Sequence, residues 1–173
     1  MRYFSGFSLV DDQKFFTAYL VDSEYTVSGF SYGAIKAFEY VRHTNRRIDR
    51  LQLFSPAFFQ NRDVRFKRLQ LLGFCKDADA YVQQFTSNCC APFKCKNITI
   101  KKGSYEALQE LLEYVWDRDA LEALCRRGVI LEMYFGSEDA IVDVAAAKAF
   151  FQPFGTTFFI NGASHLLQRE ECV

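Results

Sequence analysis

The chain has 173 residues, half of them hydrophobic and 19 of them phenylalanine, enough for one domain with a large apolar core, an apolar channel, or both. Its 21 Lys and Arg balance its 21 Asp and Glu, which argues against nucleic acid or a membrane surface as the partner of the molecule as a whole while leaving room for local patches. No run of about eighteen apolar residues could span a bilayer and Met1 to Gly6 is not a long apolar stretch, so a soluble cytoplasmic protein is expected.

In chain order, residues 2–5 read as a short buried strand ending in Ser5-Gly6-Phe7-Ser8. Asp11 or Asp12 can then cap a helix carrying Phe15, Phe16, Tyr19 and Leu20. The β-rich run Tyr25 to Ser28 feeds Gly29-Phe30-Ser31-Tyr32-Gly33, and Ala34, Ala37, Phe38 and Val41 follow at helical spacing. Strand, Gly-x-Ser-x-Gly, helix is the order of a nucleophile elbow. A serine at the tip of so tight a turn is strained, and Gly29 and Gly33 let strand and helix approach without a Cβ clash.

After the basic stretch Arg42 to Arg50, Leu51 to Ser55 is a further strand closed by Pro56. Strands alternating with helices in this way indicate an α/β fold with a mainly parallel sheet. From Ala57 to about Arg127 only helical patterns appear, among them the stripe Leu108, Leu111, Leu112 and Val115 behind a Ser104 cap, and a helix from Asp119 stopped by Gly128. The expected organisation is a single domain, with a core of residues 1–56 and 128–173 and an all-helical cap of about 57–127. The sheet resumes at 129–135, then come a helix from about Asp143 to Phe151 and a last strand from Thr156 to Ile160.

Loops after parallel strands open on one sheet edge, which is where Ser31, Asp139 and His165 all fall. The order Ser, Asp, His is that of α/β-hydrolases. Serine needs a base poised near neutral pH, which imidazole supplies, and Asp139 would hold the ring in the correct tautomer. The other histidine, His43, lies about 18 Å from Ser31 along the following helix. Glu138 and Asp143 compete with Asp139, although Asp143 reads better as a helix cap. The expected oxyanion donors are the backbone N–H groups of Tyr32 and Phe7.

Six cysteines (Cys75, Cys89, Cys90, Cys95, Cys125, Cys172) are expected as reduced thiols. Cys89, Cys90 and Cys95 lack a Cys-x-x-Cys pair and a nearby histidine, so no metal site is expected.

With these residues in place the chain resembles the BioV-type pimelyl-acyl-carrier-protein methyl ester esterases, small α/β-hydrolases of biotin synthesis. The likeness is carried by Phe4-Ser5-Gly6-Phe7, Val27 to Ala37, Leu53-Phe54-Ser55-Pro56, Phe66 to Leu71 and His165-Leu166-Leu167-Gln168. It implies a reduced α/β-hydrolase fold that hydrolyses the methyl ester of a pimeloyl-carrier protein to methanol and the free acid, without cofactor. The family's serine, aspartate and histidine would fall on Ser31, Asp139 and His165. Larger hydrolases of this kind carry His-Gly-x-Gly where this chain has Ser5-Gly6-Phe7-Ser8.

Between Gln60 and Lys102 nine basic residues (Arg62, Arg65, Lys67, Arg68, Lys76, Lys94, Lys96, Lys101, Lys102) face three acids. Arg62, Arg65 and Arg68 recur at a spacing that fits one helix face. With Lys67 they form either a dock for an acidic acyl carrier protein or a solvated face without a partner. No aromatic-interleaved basic motif favours RNA or phosphate. A general short-chain ester or thioester hydrolase, or a hydrolase fold without activity, are the alternative readings.

Overall fold

The computed structural model describes residues 1–94 and 97–169. Five parallel strands form the main sheet: β1 (Arg2–Phe4), β3 (Thr26–Phe30), β4 (Arg50–Phe54), β6 (Ile130–Gly136) and β7 (Thr156–Ile160), paired in that order. β3 lies inside the sheet, with Gly29 in register between Phe4 of β1 and Leu53 of β4. It is buried on both faces along its whole length, as parallel strands covered by helices are. Parallel pairing brings the C-terminal ends of all five strands to one edge.

Helix α1 (Tyr32–His43) starts one residue after β3 and buries Ala34, Ala37, Phe38 and Val41, the apolar stripe expected from its spacing, together with Ile35. α6 (Val144–Phe151) begins at the Asp143 cap, whose Oδ1 accepts from Ala146 N–H at 3.0 Å.

Residues 57–127 hold α2 (Val64–Lys76), α3 (Ala78–Cys90), α4 (Tyr105–Glu113) and α5 (Arg118–Arg126). They are not all helical. A two-residue strand, β5 (Thr99–Ile100), pairs antiparallel with β2 (Leu9–Val10) and ties this segment to the loop after β1. Ser104 caps α4 as expected, accepting from Ala107 N–H, but the helix stops at Glu113 and Val115 is 65 % exposed. Trp116 replaces it in the core, its Nε1 donating to Ala57 O at 2.8 Å.

The stretch after β2 is a 3-10 turn, Asp12–Phe16, rather than a full helix. Asp11 precedes it in a left-handed conformation and makes no capping bond. Phe16 is fully buried, stacked on Phe54 with centroids 4.7 Å apart and tilted against Phe30 at 4.9 Å. Truncating such a side chain costs about 3–5 kcal/mol. Among the described residues no helix is long and apolar enough to cross a membrane.

Candidate active site

Ser31 sits between the last residue of β3 and the first of α1 with φ 53° and ψ −113°, a backbone region that strains any residue but glycine. The turn closes because of its glycines. A Cβ on Gly29 would stand 2.2 Å from the Gly33 carbonyl oxygen, and one on Gly33 would stand 2.0 Å from that of Phe4. Three backbone hydrogen bonds hold the serine: its N–H donates to Phe54 O at 2.9 Å, and its carbonyl accepts from Ala34 and Ala57 N–H at 3.0 and 3.2 Å.

Ser31 Oγ lies 3.0 Å from His165 Nε2, and His165 Nδ1 lies 2.6 Å from Asp139 Oδ2. The other carboxylate oxygen, Oδ1, accepts from Ile141 and Val142 N–H at 2.8 and 3.1 Å. An ionised carboxylate only accepts, so Nδ1 carries the proton and Nε2 is free to accept from the serine hydroxyl. The serine and histidine are buried, as is the Asp139 side chain, so the arrangement is shielded from water and can transfer a proton from Oγ to imidazole.

The two loops carrying Asp139 and His165 are fastened to each other. Glu138 N–H donates to Ala163 O at 2.8 Å and Gly162 N–H to Ser137 Oγ at 2.7 Å. A Cβ on Gly136 would stand 2.3 Å from Ala163 O. The imidazole also tilts against Phe30, 5.0 Å between centroids, which links it to the Phe16–Phe54 stack. Ser55, with φ 39°, donates from Oγ to His165 O at 2.7 Å.

The competing groups are engaged elsewhere. Glu138 is exposed and accepts from Ser137 Oγ, Asp143 caps α6, and His43 Nδ1 lies against Glu39 O at the exposed end of α1.

Among the described residues no acceptor engages the N–H of Tyr32 or Phe7, while the N–H of Gly6, the residue before Phe7, donates to Asp12 Oδ2 at 2.9 Å. Asp12, offered by the sequence only as a helix cap, thus reaches back to the loop after β1. Its bond spans six residues with no local pattern to mark it. Ser55 escaped notice for the same reason, since its partner is 110 positions away.

An open cleft of about 530 Å³ abuts this loop, lined among others by Gly6, Phe7, Tyr32, Lys36, Lys101 and Lys102. A smaller cavity of about 170 Å³ lies beside the Asp139 loop, lined by Phe59, Arg62, Phe66, Tyr81, Phe85 and Ile141 among others.

Of the basic residues, Arg65, Lys67 and Arg68 lie on α2, but Arg62 does not share the helix. It precedes the Asp63 cap and stacks its guanidinium over Phe66 at 5.3 Å. Lys67 and Arg68 border a groove of about 440 Å³ with Val64, Leu71, Leu72 and Tyr105. Lys96 lies outside the described residues, as do Cys95 and Cys172. Cys75, Cys89 and Cys125 are free thiols, but Cys90 is disulfide-bonded, contrary to the expectation of reduced thiols throughout. Among the described residues no three His, Cys, Asp or Glu side chains gather as a metal-ligand set.

No family model and no curated protein sequence matches the chain. Solved structures do. A bromoperoxidase from Bacillus anthracis is similar with a TM-score of 0.61 at 16 % identity, over 82 % of this chain and 60 % of that one. An esterase from Exiguobacterium antarcticum gives 0.58 at 15 % identity, over 81 % and 59 %. A thermophilic esterase from Thermogutta terrifontis gives 0.57 at 16 % identity, over 82 % and 57 %. The chain thus spans less than two thirds of the length of these structures, and identity this low speaks for the fold alone. With its five parallel strands and the helices that follow them, the chain has a reduced α/β-hydrolase fold.

Proposed function

We propose that the protein is a serine carboxylesterase that hydrolyses the methyl ester of a pimeloyl group borne on an acyl carrier protein. The observation that carries this reading is the unbroken hydrogen-bonded run from Ser31 Oγ through His165 to Asp139. In the proposed reaction His165 Nε2 takes the Ser31 proton as Oγ attacks the ester carbonyl, and Asp139 stabilises the imidazolium. The N–H groups of Phe7 and Tyr32 receive the oxyanion. The imidazolium protonates the departing methoxide, methanol leaves, and water activated by the same imidazole releases the acid from Ser31.

The carrier-borne substrate is supported by the resemblance in sequence and by the surface of α2. There, basic Lys67 and Arg68 flank Val64 and Leu72, which are 81 % and 55 % exposed. A groove with cations at an apolar floor suits an acidic helical protein better than a small neutral ester.

Methanol release from pimeloyl-carrier protein methyl ester, compared between wild type and Ser31→Ala, tests the assignment. Activity in the wild type and its loss in the variant are expected. Charge reversal at Arg65 and Arg68 is expected to depress turnover of the carrier substrate and to spare a small aryl ester. A wild type that cleaves only the aryl ester through Ser31 leaves a general ester hydrolase. One that cleaves neither leaves a fold without this activity.

A further inference from the structure

Asp12 is 1 % exposed, yet among the described residues its carboxylate has two partners, Gly6 N–H at 2.9 Å and Tyr3 Oη at 3.1 Å, both on Oδ2. Oδ1 is buried with no hydrogen-bond partner among the described residues. A carboxylate taken out of water and left half satisfied is a poor way to stabilise a fold, because burial of a charge is compensated only when its lone pairs are met.

Its surroundings are as unusual as its burial. Ser8 and Asp11 both hold φ near 57°, which folds the chain back on itself so that Asp12 faces the residue six positions earlier. Leu9 N–H donates to Gly6 O at 3.3 Å and closes the turn between them. The Tyr3 hydroxyl comes from β1, and burial, followed by the Asp12 charge, pushes its pKa far up, so it stays a donor. Phe7, the next residue, anchors its ring edge-on to Phe85 at 5.6 Å. The loop is therefore gripped on both sides of one peptide: at the Gly6 N–H by a carboxylate and at the Phe7 ring by α3.

We infer that Asp12 is a positioning residue for the oxyanion hole, its carboxylate seizing the Gly6 N–H so that the adjoining Phe7 N–H is left free and fixed for the oxyanion. This rests on the serine esterase reading given above. Seizing Gly6 N–H sets the orientation of the 5–6 peptide, and through the fixed Gly6 backbone that of the 6–7 peptide, whose N–H has no acceptor among the described residues. A charged acceptor makes a shorter and stronger bond than a neutral one, which is what a loop of four residues with three small members requires to hold one donor still. Tyr3 supports the carboxylate from β1 through its hydroxyl.

The test is a graded series, Tyr3→Phe, Asp12→Asn and Asp12→Ala, assayed on an aryl ester and for inhibition by an aryl trifluoromethyl ketone, which forms an oxyanion on the serine. Asp12→Ala is expected to lower kcat by roughly 10- to 100-fold with KM nearly unchanged, and to weaken ketone binding by the same factor. Asp12→Asn, which keeps an acceptor oxygen, recovers most of the loss, and Tyr3→Phe is mildest. Amide exchange reports the loop directly: the Gly6 N–H is expected to be protected in the wild type and to lose protection in Asp12→Ala while α1 keeps its own. An Asp12→Ala enzyme that melts lower but retains kcat and ketone affinity overturns the inference and leaves the esterase standing. A wild type that neither cleaves the ester nor binds the ketone overturns the esterase reading and this inference with it.

Discussion

The backbone carbonyl of Cys89, in the last turn of α3, accepts a hydrogen bond from the N–H of Leu166 at 3.2 Å, so a helix of the 57–127 segment is tied to the residue after His165. The Cys89 side chain is fully buried, and burial, reinforced by the Asp139 charge, pushes its thiol well above the ordinary range. The hydrogen bond ties α3 to the His165 loop, and the shift places the thiol within the field of Asp139.

A neutral, enclosed thiol reacts slowly. Iodoacetamide at pH 8 is expected to label exposed Cys75 in the native protein and to label Cys89 at least roughly tenfold more slowly until the chain is unfolded. A thiol whose folded pKa is raised contributes stability fully present below the unfolded value of about 8.5, and loses it as pH rises beyond that. Peptide mapping by mass spectrometry reads the labelling, and equal modification of the two cysteines in the native state would refute the burial.

If His165 is the base, Asp139→Asn leaves the imidazole without its carboxylate and free to adopt the other tautomer. The expected loss in kcat on an aryl ester is on the order of 10³- to 10⁴-fold with little change in KM. A loss below tenfold would mean that the contact at 2.6 Å only braces the Asp139 loop.

How far the sequence reaches can be judged at single residues. Gly29, Ser31 and Gly33 are legible because the constraint is local: a strand, a turn and a helix within nine positions leave one backbone solution. Asp139 and His165 could be sent to the same sheet edge because the rule for parallel strands needs only strand order. Asp12 and Ser55 were invisible as loop-setting groups, since a serine or aspartate bonded to distant backbone leaves no periodic trace. The pairing of β2 with β5 is equally silent, being two residues long and about ninety positions apart. Arg62 and Val115 were misassigned for a different reason. Periodicity continued past the point where Asp63 starts one helix and where Glu113 ends another.

The two kinds of glycine in this fold separate cleanly by experiment. At Gly33 the obstacle is Phe4 backbone, 2.0 Å from an added Cβ, and neither β1 nor α1 can withdraw without breaking its own pairing. Gly33→Ala is expected to lose more than about 3 kcal/mol or to fail to fold. Gly128 has φ 81° with open space around it, so Gly128→Ala meets only the strain of a left-handed backbone, about 1 kcal/mol. Urea denaturation of the two variants orders them, and comparable losses would contradict the close approach at the elbow.

Glu110 joins α4 to the start of α1: its carboxylate accepts from Tyr32 Oη at 2.5 Å and from Lys36 Nζ at 2.5 and 2.6 Å. Partial burial pushes its pKa up, but the Lys36 and Tyr32 hydrogen bonds outweigh that and hold it below the ordinary carboxylate value. A depressed folded pKa gives stability that is present above the unfolded value near 4.3 and is lost as pH falls through the folded one. The side chains are 38 % and 44 % exposed, so the contribution is small and weakens in salt. Below pH 4 the wild type should therefore show lower protection factors in α4 than at pH 6, after correction for the intrinsic pH dependence of exchange, with those of α6 unaffected. Glu110→Gln, which cannot titrate, should exchange in α4 at nearly the same rate at both values once the intrinsic pH dependence is removed. Tyr32 directly follows Ser31 and, with Lys36, lines the cleft beside Gly6 and Phe7, so this tether also braces one wall of that cleft. An α4 that stays protected in the acidified wild type would show that packing through Leu108, Leu111 and Leu112, and not the ion pair, holds the helix in place.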